Sequence, residues 1–192
     1  MSKNLEFEIR DTRAVSSLIR GMKIFNFSDL VSYVQHLPYG RTISSDILAV
    51  VWENKGTCSS KHRLLAAVAE ENARHDIELV VGVYMMCEEN TPGVGVILSN
   101  TGVASIPEAH CYLRHENVRY DYTGLQAFGV SPFESLVSEH VTTSAELPHF
   151  KLALHKEVMA NWALERDLSF FETWKVREKC IQRLSESPFG KK

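Results

Sequence analysis

Long apolar runs are missing from this 192-residue sequence: the longest nearly uninterrupted one, residues 79–87, falls far short of the roughly 20 residues that cross a bilayer. No membrane association is expected. No secretory leader is expected either, because Lys3, Glu6, Glu8, Arg10, Asp11 and Arg13 break up any apolar stretch near the start of the sequence, and a cytoplasmic location is the resulting expectation. Cysteine is sparse. Cys58, Cys87, Cys111 and Cys180 are too scattered for a disulfide-stapled scaffold and read as free thiols. Neither charge sign dominates: 21 Lys and Arg face 24 Asp and Glu, a formal net charge of −3. That excludes the strongly basic face of a nucleic-acid binder and an acidic disordered tail, leaving peptide or small-molecule chemistry. With no repeat, low-complexity tract or long linker, residues 1–192 read as a single domain.

What is present is a change of period along the chain. Apolar residues recur at three- and four-residue spacing over residues 11–25 and 28–35, with Asp11 and Ser28 as expected N-caps. Pro38-Tyr39-Gly40 is a turn, Ser45-Asp46 caps a third helix running to about Trp52, and Lys55-Gly56-Thr57 ends it. From Cys58 to about Arg74, Leu64, Leu65, Val68 and Ala69 form an apolar stripe, with Lys61, Arg63, Glu70 and Glu71 on the other side. Residues 77–87 read as a buried strand, 88–95 as a loop, and about 108–114 and 118–123 as two more strands. Ser131-Pro132-Phe133-Glu134 and Ser169-Phe170-Phe171-Glu172 match capping boxes, predicting a C-terminal helical extension over about 131–187. Helices, then strands, then helices predict an α+β fold on an antiparallel β-sheet, with the N-terminal helical part ahead of it and additional helices behind.

Cys58 falls where a loop becomes a helix. A thiolate there lies against the positive end of the macrodipole and beside free N–H groups, which activates it and lets the Cys58 N–H meet an oxyanion. Gly56 lets a substrate backbone come close. The bland alternative is that Cys58 is a small residue at a helix start.

The stretches 108–114 and 117–123 alternate with period two, so Glu108, His110, Tyr112 and Arg114 share the polar face of one strand, while Ala109, Cys111 and Leu113 read as core. Arg119, Asp121 and Thr123 share a face of the next. Antiparallel partners have position numbers summing to a constant. A two-residue turn at His115-Glu116 makes that sum 231 and sets His110 opposite Asp121; a turn at Glu116-Asn117 makes it 233 and sets them diagonal on one face. Either register permits an imidazole–carboxylate hydrogen bond, leaving the other ring nitrogen for a thiol, whereas a three-residue loop would separate the two. Cys58, His110 and Asp121 thus fit the roles of a nucleophilic triad; the alternative is an ordinary exposed cross-strand pair.

The run Lys55-Gly56-Thr57-Cys58-Ser59-Ser60-Lys61-His62, followed by Leu64-Leu65-Ala66-Ala67, by Leu79-Val80-Val81-Gly82-Val83 and then by His110 and Asp121, resembles the transglutaminase-like superfamily, a branch of the papain-like cysteine hydrolases. The resemblance covers roughly residues 38–124, the expected catalytic core. It implies a transglutaminase-like, cysteine-proteinase fold with Cys58 as nucleophile, His110 as base and then acid, and Asp121 as orienter. It also implies an acyl-thioester intermediate, no metal or organic cofactor, and a peptide or small amide or ester as substrate. The short interval from His110 to Asp121 departs from the family and implies a tight hairpin, and Tyr122-Thr123 stands where the family often has Pro-Thr. Trp52, six residues before Cys58, is a candidate oxyanion donor through its indole N–H; the alternative is a helix-packing role. Glu108, Tyr112, Arg114 and Arg119 are candidate substrate contacts.

Two other readings compete. Cys58 and His62 are i and i+4 and His110 could add a third zinc ligand, with His115 or Cys111 as a fourth, but no CxxC or HExxH spacing supports the set. A non-catalytic binding module would keep the cleft alone. The C-terminal aromatics Phe150, Trp162, Phe170, Phe171 and Trp174, with Leu152, Leu154 and Val158, form either core or a homodimer surface.

Overall fold

Both long-range contacts and local caps decide where the helices of this chain begin and end. A computed structural model describes residues 5–11 and 13–186; Lys3 and residue 187, at the end of the expected extension, lie outside the described residues. Helix α1 (Ala14–Gly21) starts after Arg13, not at Asp11. The Glu71 carboxylate accepts the free N–H groups of Val15 and Ser16 at 3.2 and 2.6 Å, and Asp11 instead accepts the Ser17 hydroxyl. Helix α2 (Phe27–His36) starts ahead of Ser28, its first N–H donating to the Phe7 carbonyl at 2.9 Å. Helix α3 (Ala49–Trp52) is a single turn, shorter than expected. Asp46 Oδ1 accepts the Leu48 N–H at 2.7 Å, and the Glu53 carboxylate accepts those of Ile43 and Ser44, so this segment turns instead of coiling.

Helix α4 (Cys58–Glu71) stops short of Arg74, as the chain turns left-handed at Ala73 (φ 58°). The polar side of α4 is engaged with the rest of the chain, and one of its residues is fully buried. Lys61 is wholly buried and its ammonium donates to the carbonyls of Leu37 and Thr123 at 2.7 and 2.8 Å. Arg63 donates to the Ser144 and Ser45 carbonyls, and Glu70 accepts the Ser144 N–H. Each polar residue of that stripe therefore ties α4 to another part of the chain.

The sheet has the order β3-β2-β1-β4, with antiparallel neighbours throughout: β1 (Glu78–Met86), β2 (Ile106–His115), β3 (Val118–Tyr120) and β4 (Leu136–Thr142). A short helix α5 (Gly95–Ser99), not anticipated, lies between β1 and β2. Glu116 and Asn117 both have positive φ (49° and 61°), which builds the two-residue hairpin whose twist suits the flanking strands. Arg114 pairs with Arg119, so of the two registers considered the sum of 233 holds, and β3 ends one residue before Asp121.

Strand β4 corrects the helical reading of the region after Gly124. The Ser131 hydroxyl does meet the Glu134 carboxylate at 3.0 Å, but it closes only a 3-10 turn (Pro132–Ser135) before the chain extends. As an edge strand β4 leaves Val137 and Val141 exposed, so its apolar residues do not mark a buried face. Two long helices follow, α6 (Leu147–Leu164) and α7 (Phe170–Glu186), the latter with the Ser169 hydroxyl accepting the Glu172 N–H at 3.5 Å.

Two apolar clusters fill the interior. Leu79, Val81, Ala109, Cys111 and Leu113 join the side chains of α1, α2 and α4, whereas Tyr84, Met86 and Ile106 join Leu98, Met159 and the apolar face of α7. Phe150 and Leu154 pack on the first cluster and Trp162, Phe170 and Trp174 on the second, while Leu152 and Phe171 stay exposed. The chain is thus an α+β protein with a four-stranded antiparallel sheet and seven α-helices among the described residues, none of them long and apolar enough to cross a membrane.

The backbone of β1 is closely approached at Gly82. A Cβ there would lie 2.8 Å from both Tyr112 Cε1 and Leu136 Cδ2, beside His110 on the paired strand. Gly82→Ala is expected to lower stability by about 1–3 kcal/mol in urea unfolding. An unchanged midpoint would show that Tyr112 and Leu136 yield without cost.

Candidate active site

Helix α4 begins at Cys58 because Thr57 is its N-cap and the Ser60 hydroxyl, three residues on, accepts the Thr57 N–H at 2.9 Å. The loop before it is laced in place, Gly56 donating to the Pro38 carbonyl at 3.1 Å and accepting from Gly40 at 3.3 Å. Cys58, only 5% exposed, stands at the floor of a cleft of about 310 Å³. One wall is the 41–47 segment; the others are α6, with Leu147, Lys151 and His155, and α7, with Trp174 and Arg177.

His110 and Asp121 come from the hairpin and do not line the cleft; His110 lies beside Cys58 as a neighbouring charge and side-chain partner. His110 Nε2 donates to Asp121 Oδ2 at 3.0 Å, and Asp121 Oδ1 accepts the Thr123 N–H at 2.9 Å, so both carboxylate oxygens are held. The three side chains act on each other as charges. Burial opposes ionisation of Asp121, but the His110 imidazolium holds it below the usual carboxylate range. Burial opposes the imidazolium too, and the Asp121 and Cys58 charges outweigh it, raising His110 to about 10. A hydrogen bond from Cys111 lowers the Cys58 thiol well below the ordinary thiol range against the effect of burial, aided by the charges of Lys151 and His110. Cys111, buried in the first cluster as its strand position implied, is held in the thiol form by burial and by that same bond. These directions favour a charged Cys58–His110 pair with Asp121 behind it.

His62 sits beside the trio without competing for the proton. Its Nδ1 donates to the Cys58 carbonyl at 2.9 Å and its Nε2 accepts the Tyr122 N–H at 2.8 Å. Burial pushes it down to about 4, so it stays neutral although Nε2 is 3.8 Å from Asp121 Oδ1. With both nitrogens engaged it has no lone pair for a metal, which removes the Cys58–His62 zinc pairing. Among the described residues no cluster of three or more His, Cys, Asp or Glu side chains is arranged to hold a metal ion.

The remaining sequence candidates fall elsewhere. Trp52 is 60% exposed on α3 and does not line the cleft. Gly56 faces Lys61: a Cβ there would lie 2.8 Å from Lys61 Cγ, so the missing side chain makes room for a buried lysine and not for substrate. Tyr112 is wholly buried and donates to Glu139, which also binds Arg119 at 2.7 and 2.9 Å; neither lines the cleft, because β4 brings in a carboxylate that occupies both. Arg114 is likewise taken, by Glu78 at 2.7 Å. Of this group only Glu108 reaches the cleft, and it is buried in a two-pronged pair with Arg177 at 2.6 and 2.7 Å. The face of β2 expected to be open and polar is in fact interior.

Sequence reasoning missed Lys151, His155 and Arg177. Lys151 Nζ donates to Ser59 Oγ at 2.7 Å and to Cys58 Sγ at 3.5 Å, and His155 Nε2 donates to the Pro107 carbonyl at 3.0 Å. A signal existed: positions 147, 151, 155, 159 and 163 run down one face of α6, and Leu147, Met159 and Ala163 are core, so a lysine and a histidine interrupt an otherwise inward stripe. Compared with protein-family models, curated proteins and solved structures, the chain matches none.

Proposed function

We propose that the chain is a cysteine-dependent acyl-transfer enzyme of transglutaminase-like type, acting on a peptide or small amide or ester. The observation that carries the reading is His110 held between Asp121 and a Cys58 thiol lowered well below its ordinary range at the floor of a cleft. Such a constellation assigns the steps. The Cys58 thiolate attacks the carbonyl carbon, and the C=O π electrons move to oxygen. As the C–N or C–O bond breaks, His110 gives its proton to the leaving group, and an acyl-thioester remains on Cys58. His110, now neutral, takes the proton of an incoming nucleophile as that group attacks the thioester carbon; the C–S bond then breaks, Cys58 leaves as thiolate, and the proton stays on His110. Water as acceptor completes a hydrolysis and an amine completes a transfer. Asp121 keeps the ring oriented and offsets its charge.

The pH dependence follows from the same charges. His110 has a folded pKa of about 10, above its unfolded value near 6.5. Its charge therefore stabilises the fold fully below about pH 6.5, and that contribution is lost as pH rises through about 10.

Alkylation by iodoacetamide, read by peptide mass spectrometry, tests the reading without a substrate. At pH 6 Cys58 is expected to react at least about 10-fold faster than Cys87, whose thiol burial and Glu89 push up. His110→Ala should slow Cys58 at that pH by about 10- to 100-fold, since an opposite charge shifts a neighbouring pKa by about 1–3 units. Equal rates at the two cysteines, or indifference to the His110 change, would remove Cys58 as a nucleophile.

A further inference from the structure

An acyl-transfer site needs a donor for the oxygen that becomes negative, and Trp52 is too far out on α3 to be one. One donor comes with the fold: the Cys58 N–H, at the first position of α4, has no acceptor inside its own helix. We propose that the second is the ammonium of Lys151, making it a catalytic residue supplied by α6 to a site otherwise built from α4 and the β2–β3 hairpin. The inference rests on the acyl-transfer reading.

Geometry is the first support. The oxyanion is two bonds from Cys58 Sγ, and Lys151 Nζ lies 3.5 Å from that sulphur on the cleft side. A donor needs to be about 2.7–3.1 Å from the oxyanion, which a group so placed meets without moving the helix. Lys151 has three protons, of which one goes to Ser59 Oγ and one to the sulphur, leaving a third for the cleft.

Charge bookkeeping supplies the second. In the resting site the negative charge is on Sγ; as the S–C bond forms it passes to the carbonyl oxygen, which a cation touching both positions stabilises throughout. His110 cannot take this role, because its proton is committed to the leaving group. Burial works against the Lys151 charge, but the Cys111–Cys58 sulphur pair and Glu108 keep the ammonium protonated. Glu108 is itself locked to Arg177 and does not draw the ammonium off.

The third is rigidity. One turn above Lys151, Leu147 is buried in the first cluster; one turn below, His155 is tied to the Pro107 carbonyl of β2. Lys151 is thus fixed to the strand that carries His110, and a preorganised donor loses nothing to reorganisation at the moment of reaction.

Two reagents on the full chain separate this role from a mere effect on the thiolate. Iodoacetamide alkylates Cys58 by displacement of iodide, with no oxyanion. p-Nitrophenyl acetate acetylates it through an oxyanion, releasing p-nitrophenolate, with the Cys58→Ala rate subtracted as background. Lys151→Met is expected to lower the acetylation rate by about 100-fold and the acetylation-to-alkylation ratio by at least about 10-fold, the loss typical of one oxyanion donor. If Lys151→Met does not fold by circular dichroism, Lys151→Leu, which also has no donor, takes its place with the same expected fall in ratio. A ratio within about threefold of wild type in the folded variant overturns the role of Lys151 and leaves Cys58 as nucleophile. If neither reagent modifies Cys58 in the wild type, the acyl-transfer reading fails, and this inference with it.

Discussion

Asp121→Asn lowers the rate of Cys58 acetylation by p-nitrophenyl acetate at pH 7 by about 10²–10⁴-fold, the largest kinetic effect expected of any conservative change outside Cys58 and His110. The size follows from the two hydrogen bonds that the carboxylate makes. Oδ1 accepts the Thr123 N–H and Oδ2 accepts the His110 Nε2 proton. An asparagine that keeps its oxygen on Thr123 presents its NH₂ to His110, and Nε2 must then become an acceptor. The proton moves to Nδ1, and the ring faces Cys58 in the wrong tautomer. The charge that raises His110 to about 10 disappears with it, while burial remains and pulls the ring down. His62 cannot substitute, because both its nitrogens are engaged. The fold should survive, since the amide is isosteric and the Thr123 bond persists. A burst rate within about threefold of wild type would reduce Asp121 to a structural ligand of the 121–123 turn.

The hairpin was legible because parity is a local property. With a two-residue turn, residues of odd numerical sum share a face, so His110 and Asp121 could be placed on one face from spacing once that turn was assumed, and the structure supplies the Glu116-Asn117 turn that sets the sum. The helix start at Cys58 was legible for the same reason: Thr57, Ser60 and the Gly56 break act within four residues. What was not legible depends on segments far apart in sequence. Lys61 looks like a solvated residue until Leu37 and Thr123 offer it carbonyls. Arg119 and Tyr112 look like cleft residues until β4, which carries no clean alternation because it is an exposed edge, delivers Glu139 to both. Lys151 is 93 residues from Cys58, and only the docking of α6 on β2 brings them together. Local rules found the side chains that share a turn or a hairpin, and tertiary contacts decided which polar groups face the cleft and which are buried ties.

Arg177→Met is expected to cost about 3–5 kcal/mol of stability in urea unfolding at pH 7, the loss typical when one partner of a buried ion pair is removed. Glu108 is 4% exposed, and Arg177 supplies both of its short contacts, from Nε and Nη2. Without the guanidinium, Glu108 keeps only His155, 3.8 Å away and lowered by burial, and the more distant Lys151 ammonium, which already donates to Ser59 and Cys58. The reverse change is milder. In Glu108→Gln, Arg177 keeps Glu178 at 2.7 Å, a carboxylate near the surface where water shares the load, so a smaller loss of about 1–3 kcal/mol is expected. The double variant should be more stable than the sum of the two single losses implies, because the uncompensated charge is gone. Acid tests the cause. In Arg177→Met the folded pKa of Glu108 rises above its unfolded value, so the variant regains stability as pH falls through that raised value, where the wild type, whose Glu108 lies below the usual range, does not. A loss under about 1 kcal/mol, or one unchanged down to pH 5, would mean that water reaches Glu108 when the arginine leaves. The pair also joins β2 to α7, the wall that carries Trp174 and Ile181 into the cleft. Arg177→Met should therefore loosen the space above Cys58 while leaving the His110–Asp121 bond, on the hairpin, intact, and alkylation of Cys58 by iodoacetamide should persist in the fraction that remains folded.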